Sequence, residues 1–275
     1  MTGPLNAIGR WLGRGLSRYL SQPSPTNGIA APTDPATLAA CLQPGDVLLV
    51  EGQTRVSVAI KYLTQSTWSH AALFVGGATG LVDDQGWPRA FIEADINEGV
   101  RAVSVREFAG LHTRVCRPVG LSAAEVETVV AFATARLGDQ YDLKNVVDLA
   151  RYLIPTPPVP VRWRRRLIAF GSGDPTRAIC STLIAQAFQS VRYPILPTIE
   201  SVPSGDPACP DCRSEILHVR HHSLFVPRDF DVSPYFAVVK PSLAAGFDHR
   251  ALAWHEPPVS APAGDGTGGA VNGWR

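Results

Sequence analysis

The chain has no apolar run near the ~18 residues that a membrane-crossing helix requires, so no such helix is expected. Its net charge is only +1 over 275 residues. No overall field draws it to nucleic acid, which is not an expected partner. The five cysteines are odd in number and scattered, which argues against a disulfide framework. No Asp or Glu precedes Asp34. That stretch also lacks an uninterrupted apolar segment followed by a small-residue cleavage site, so it does not read as a signal peptide. The expectation is a cytoplasmic protein, peripheral on a membrane at most. Once the ends are set aside, about 200 residues remain for a single core.

The acid-free start carries Arg10, Arg14 and Arg18 at every fourth position. At about 100° per residue, Leu5, Ile8, Trp11, Leu12, Leu16, Tyr19 and Leu20 fall on the opposite side. Residues 1–22 therefore read as a basic amphipathic helix, suited to an anionic membrane surface or to docking on protein. Residues 23–37 read as a linker, 38–240 as the folded domain, and 241–275 as a disordered tail, with five glycines between Gly264 and Gly273.

Within the domain, Ile179-Cys180-Ser181-Thr182-Leu183-Ile184 opens an apolar helix after Asp174-Pro175-Thr176, a cap followed by a first-turn proline. Leu183, Ile184 and Ala187 recur at helical spacing from Cys180 and put it on the inward face. A cysteine in a first helical turn feels the positive dipole end and free N–H groups, which favour thiolate. A small core cysteine has the same pattern. His70 stands at the mouth of the apolar strand Ala71-Ala72-Leu73-Phe74-Val75. Glu93 sits inside a second one, Ala90-Phe91-Ile92-Glu93-Ala94. A carboxylate there must be paired, because burying it alone is costly. His70 is the natural partner. Glu93 would fix its tautomer and leave the other ring nitrogen for Cys180.

Other strands are expected at Gln43–Glu51, Val100–Ser104, Thr113–Arg117 and near Tyr235–Val239, with a helix at Val56–Thr64. A further helix starts at Ser122, with a capping box completed by Glu125, and runs to Leu137 with Gly138 as its C-cap. Helix and strand segments do not alternate as βαβ units. The fold class is thus α+β, a mostly antiparallel sheet with flanking helices.

Two segments stand apart. Arg162-Trp163-Arg164-Arg165-Arg166-Leu167-Ile168 sets four arginines around a tryptophan, which suits phospholipid headgroups or an ordinary solvated loop. Cys209-Pro210-Asp211-Cys212, with His218, His221 and His222 downstream, is half of a zinc site without the usual spacing of the other half. Free thiols in a loop are the expectation there.

Five pieces of sequence carry a resemblance: Leu42-Gln43-Pro44-Gly45-Asp46-Val47-Leu48-Leu49, Thr67-Trp68-Ser69-His70-Ala71-Ala72-Leu73, Ile92-Glu93-Ala94 with Gly99-Val100, Leu137-Gly138-Asp139-Gln140-Tyr141-Asp142, and Cys180-Ser181-Thr182-Leu183-Ile184. In this order, histidine before cysteine, the chain resembles the permuted branch of the NlpC-type papain-like cysteine hydrolases, in particular the YiiX-like family. The resemblance implies a circularly permuted papain-like fold, with Cys180 as nucleophile, His70 as base and Glu93 as orienting acid. Tyr141 would line the site and help hold the oxyanion, or simply pack at a helix end. The expected activity is a thiol hydrolase or acyltransferase working through an acyl-cysteine without a cofactor. Its substrate would be a lipid or peptide acyl group. Unpermuted relatives cut cell-wall peptides, and permuted ones resemble lecithin retinol acyltransferase. The two basic, Trp-bearing segments favour a lipid at the membrane surface over a cell-wall peptide; a non-catalytic papain-like binding module is the competing class.

Overall fold

β1 (Val47–Glu51) is buried at every position, as expected of an apolar strand covered on both faces. The computed structural model describes residues 22, 33–95, 98–140, 179–205, 208, 209, 211–244, 246 and 248–251. The basic helix up to residue 21, most of the linker, Tyr141, the Asp174–Thr176 cap, the Arg162–Ile168 cluster and the tail beyond 251 lie outside these residues.

A short helix α1 (Pro35–Cys41), capped by the Asp34 carboxylate, precedes β1. It begins inside the stretch read as linker, on an Asp-Pro start signal. Helix α2 (Arg55–Thr64) is capped by Thr54. β2 (His70–Phe74), β3 (Phe91–Asp95), β4 (Gly99–Val103) and β5 (His112–Pro118) follow. Next come α3 (Ala123–Thr134) and α4 (Ile179–Ser190). β6 (Thr198–Pro203) and β7 (Arg213–His218) form a separate two-stranded ribbon. A short α5 (Pro227–Asp231), β8 (Phe236–Val239) and the short α6 (Pro241–Ala244) follow. The main sheet runs β4-β3-β2-β1-β5-β8, antiparallel throughout.

Alternation along the strands divides the core in two. Val47, Leu49, Ala71, Leu73 and Ile92 face α4, whose Leu183, Ile184, Ala187 and Phe188 are buried against them, with Val129 and Ala133 of α3 alongside. Leu48, Val50, Ala72, Phe91 and Val103 point the other way, to Leu38 of α1 and to Phe108. Asp46, 1 % exposed, joins these layers. Its carboxylate accepts from the Gln43 N–H at 2.8 Å and from Arg117 Nε and Nη2 at 2.8 and 2.7 Å. Arg117 Nη2 also donates to the Cys41 carbonyl, tying the end of α1 to β5.

Two expectations need correction. The helix from Ser122 has its capping box but ends at Thr134, and Gly138 does not cap it directly. The Gly138 N–H instead donates to the Val100 carbonyl at 2.9 Å, so the chain leaves the helix early to join β4. The stretch around Cys209 is the tip of the β6–β7 ribbon, and Cys209 and Cys212 are joined by a disulfide rather than free. Pairing of Pro203 with Arg213 closes the ribbon, and the Cys212 N–H bonds the Cys209 carbonyl at 3.0 Å, folding the two sulfurs together. His218 is taken by Glu200, at 2.7 Å, and His221 stacks on His222.

Candidate active site

The site lies where β2 and β3 part. Their ladder covers only Leu73 with Ile92 and Phe74 with Phe91, and stops short of His70 and Glu93. In an antiparallel strand, successive N–H groups point to opposite neighbours. Val75 donates to Ala90 on the β3 side, so the Ala71 N–H, two pairs further along, is aimed the same way with no β3 partner. Cys180, in the first turn of α4, takes that place: its thiolate accepts from the Ala71 N–H. The helix stands there because Leu183, Ile184 and Ala187 anchor it across β2 and β3.

His70 Nε2 meets Glu93 Oε2 at 2.7 Å, which leaves Nδ1 for the Cys180 sulfur that the ring also contacts. Glu93, its side chain 4 % exposed, has its other oxygen filled: Arg101 Nε and Nη2 lie 2.9 and 2.7 Å from Oε1. Arg101 faces Glu93 directly across the β3–β4 pair. It reaches on to Glu98 at 3.3 Å and Glu107 at 3.0 Å. Thus Cys180, His70 and Glu93, expected together, are together. Tyr141 lies outside the described residues. Arg101 was missed, although a hairpin register pairing Asp95 with Gly99 would have placed it opposite the acid.

The electrostatics follow from these contacts. Burial pushes the Cys180 thiol up, but the His70 ring, the Ala71 N–H and the Ser181 hydroxyl favour the thiolate and leave it below the ordinary thiol value. Burial pushes His70 down, whereas the Cys180 sulfur and the Glu93 carboxylate raise it well above an ordinary histidine. Glu93 is pushed up by burial and, more strongly, down by His70 and Arg101. The arrangement favours a thiolate–imidazolium pair, the activated form of a cysteine nucleophile.

The motif segments meet behind the site. The Val100 N–H donates to the Asp139 carbonyl at 2.9 Å, and Gln140 Nε2 to the Glu98 carbonyl at 3.3 Å. Gly99 is required at that crossing: its φ is +77°, and a Cβ would lie 2.3 Å from the Asp139 oxygen. The chain is therefore held beside β4 as far as Gln140. Among the described residues, no cluster of three or more His, Cys, Asp or Glu side chains is arranged to hold a metal ion, and no helix is long and apolar enough to cross a membrane.

The antiparallel sheet places a helix-borne cysteine beside a strand-borne histidine, with the histidine first in sequence, an arrangement consistent with a permuted papain-like fold. Residues 41–152 match the model of the family described as permuted papain-like amidase enzyme, YaeF/YiiX, C92 family. The match includes His70 and Glu93 and supports a cysteine hydrolase-type enzyme; Cys180 lies beyond it. Among solved structures, the chain is similar to the metalloprotein YiiX of Escherichia coli O157:H7, with 16 % identity, 72 % of this chain and 96 % of that one covered, and a TM-score of 0.41. No curated protein matches the chain.

Proposed function

We propose that the protein is a thiol hydrolase or acyltransferase that cleaves an amide or ester through an acyl-cysteine, acting on a lipid at the membrane surface. Cys180 Sγ attacks the carbonyl carbon, and the His70 proton passes to the leaving nitrogen or oxygen as the scissile bond breaks. His70 then takes a proton from water, or from another acceptor, which attacks the thioester and frees the sulfur. Glu93 keeps the imidazole oriented and supports its charged form. N–H groups in the first turn of α4, with Tyr141, would stabilise the oxyanion. The observation that carries this reading is the 2.7 Å contact of His70 Nε2 with Glu93, which turns the other ring nitrogen to Cys180.

The lipid preference is supported by the sequence of residues 1–22 and of Arg162–Arg166. The deciding experiment is the alkylation rate of Cys180 against pH, read by peptide mapping, in the native chain and in His70→Ala. The expected midpoint lies well below the ~8.5 of a free cysteine and is lost in His70→Ala. A slow thiol indifferent to His70 would overturn the hydrolase reading in favour of a binding module. Deleting residues 1–22 should abolish sedimentation with anionic liposomes. Unchanged co-sedimentation removes that helix as the anchor, whereas a native chain that does not sediment would put a cell-wall peptide ahead of a lipid.

A further inference from the structure

We propose that Arg101 is a positioning residue of this site: by gripping Glu93 from the side opposite His70, it fixes the plane of that carboxylate, balances its charge, and so holds the imidazole toward Cys180. The inference rests on the hydrolase reading above and assigns a role to a side chain outside the Cys-His-Glu set.

Glu93 has two oxygens and neither is left to water. Oε2 serves His70 at 2.7 Å, and Oε1 receives both Nε and Nη2 of Arg101. A carboxylate held on one oxygen alone can swing about its own bonds. Here a planar guanidinium fork restricts that swing. Arg101 is itself restrained: its register opposite Glu93 is set by the β3–β4 ladder, and Glu98 and Glu107 hold its outer nitrogens. The chain thus extends from the surface to the sulfur as Glu107, Arg101, Glu93, His70, Cys180.

The charged groups around this chain come from several elements. β2 supplies His70, β3 supplies Glu93 and Asp95, and β4 supplies Arg101. Glu98 in the β3–β4 turn and Glu107 in the following 3-10 turn complete it, while α4 brings Cys180 and the Ser181 hydroxyl. Without the guanidinium, Glu93 becomes a buried carboxylate with only the imidazole to balance it. The first proton to leave the Cys180–His70 pair then departs from a less positive site, so the thiolate forms at higher pH. The guanidinium is therefore expected to act on the acidity of a thiol it does not touch.

The test is the pH dependence of Cys180 alkylation by iodoacetamide in Arg101→Gln and Arg101→Lys, with Glu93→Gln and His70→Ala as references and thermal melts alongside. In Arg101→Gln the midpoint should move up and the rate at neutral pH fall about tenfold. Arg101→Lys, which keeps the charge and loses the fork, should lie between it and the native chain. A native midpoint in Arg101→Gln, with only a lower melting temperature, would reduce Arg101 to a structural ion pair and overturn the inference. If Arg101→Gln does not fold, Arg101→Lys decides alone, and a native midpoint there is equally fatal. If His70→Ala also leaves the titration unmoved, the hydrolase reading itself fails. If His70→Ala moves it and the Arg101 variants do not, only this inference does.

Discussion

Cys41, Cys116 and Cys180 are all thiols, yet their surroundings divide them by acidity. Burial among apolar neighbours pushes Cys116 up to about 12, and burial raises Cys41 as well. Cys180 is moved the other way, chiefly by the imidazole that opposes its burial. A limiting dose of iodoacetamide at neutral pH should therefore label Cys180 at least tenfold faster than Cys116; equal labelling in a peptide map would contradict the assignment. The sign also sets the shape of a pH–rate profile. On the proposed hydrolase reading, activity is expected to rise as Cys180 loses its proton, below the ordinary thiol range, and to fall as His70 loses its own, above the ordinary histidine value of 6.5. Substitution of Glu93 by Gln should draw the alkaline limb down, because the imidazolium loses its carboxylate. At this scale the meeting of Cys180, His70 and Glu93 was legible because each sits at a recognisable place: a helix start, a strand mouth, and a carboxylate in an apolar run. Arg101 was not legible, since a charged residue on a strand says nothing of what it faces until the register is known.

At the scale of elements, the junction of β4 with the end of α3 is the place to test. Gly99 combines a left-handed backbone with a carbonyl where a Cβ would stand. Gly99→Ala should destabilise the protein by about 2–3 kcal/mol, from backbone strain plus displacement of the Asp139 carbonyl, measurable as a lower urea midpoint. It should also slow Cys180 alkylation, because β4 carries Arg101. An unchanged midpoint would mean that the crossing relaxes freely. Helix starts were readable here: Ser122 and Glu125 bond each other's backbone as a capping box demands. The helix end was not, because the amide of Gly138 is satisfied by a strand distant in sequence, and a glycine alone does not reveal its partner.

For the whole molecule, the six-stranded sheet with helices on its faces followed from apolar runs and the absence of βαβ alternation. The β6–β7 ribbon was hidden. Its residues are almost wholly exposed, so no buried face imprints a two-residue period on the sequence. The ribbon also stands outside the main hydrogen-bonded sheet. Reducing Cys209–Cys212 should therefore speed amide exchange in residues 198–218 and leave the cooperative melting of the main sheet within about 2 °C. A large fall in melting temperature would show that the ribbon is integral to the core.

The parting of β2 and β3 gives the backbone amide of Ala71 two employers: the sheet could have used it, but the sulfur does. In the proposed reaction, each acylation would remove the negative charge from that sulfur and leave the amide without its acceptor, and each release of product would restore it. The Ala71 amide proton is consequently a gauge wired to the nucleophile, and its NMR shift should follow the titration of Cys180 and jump on acylation, even with a substrate that carries no chromophore.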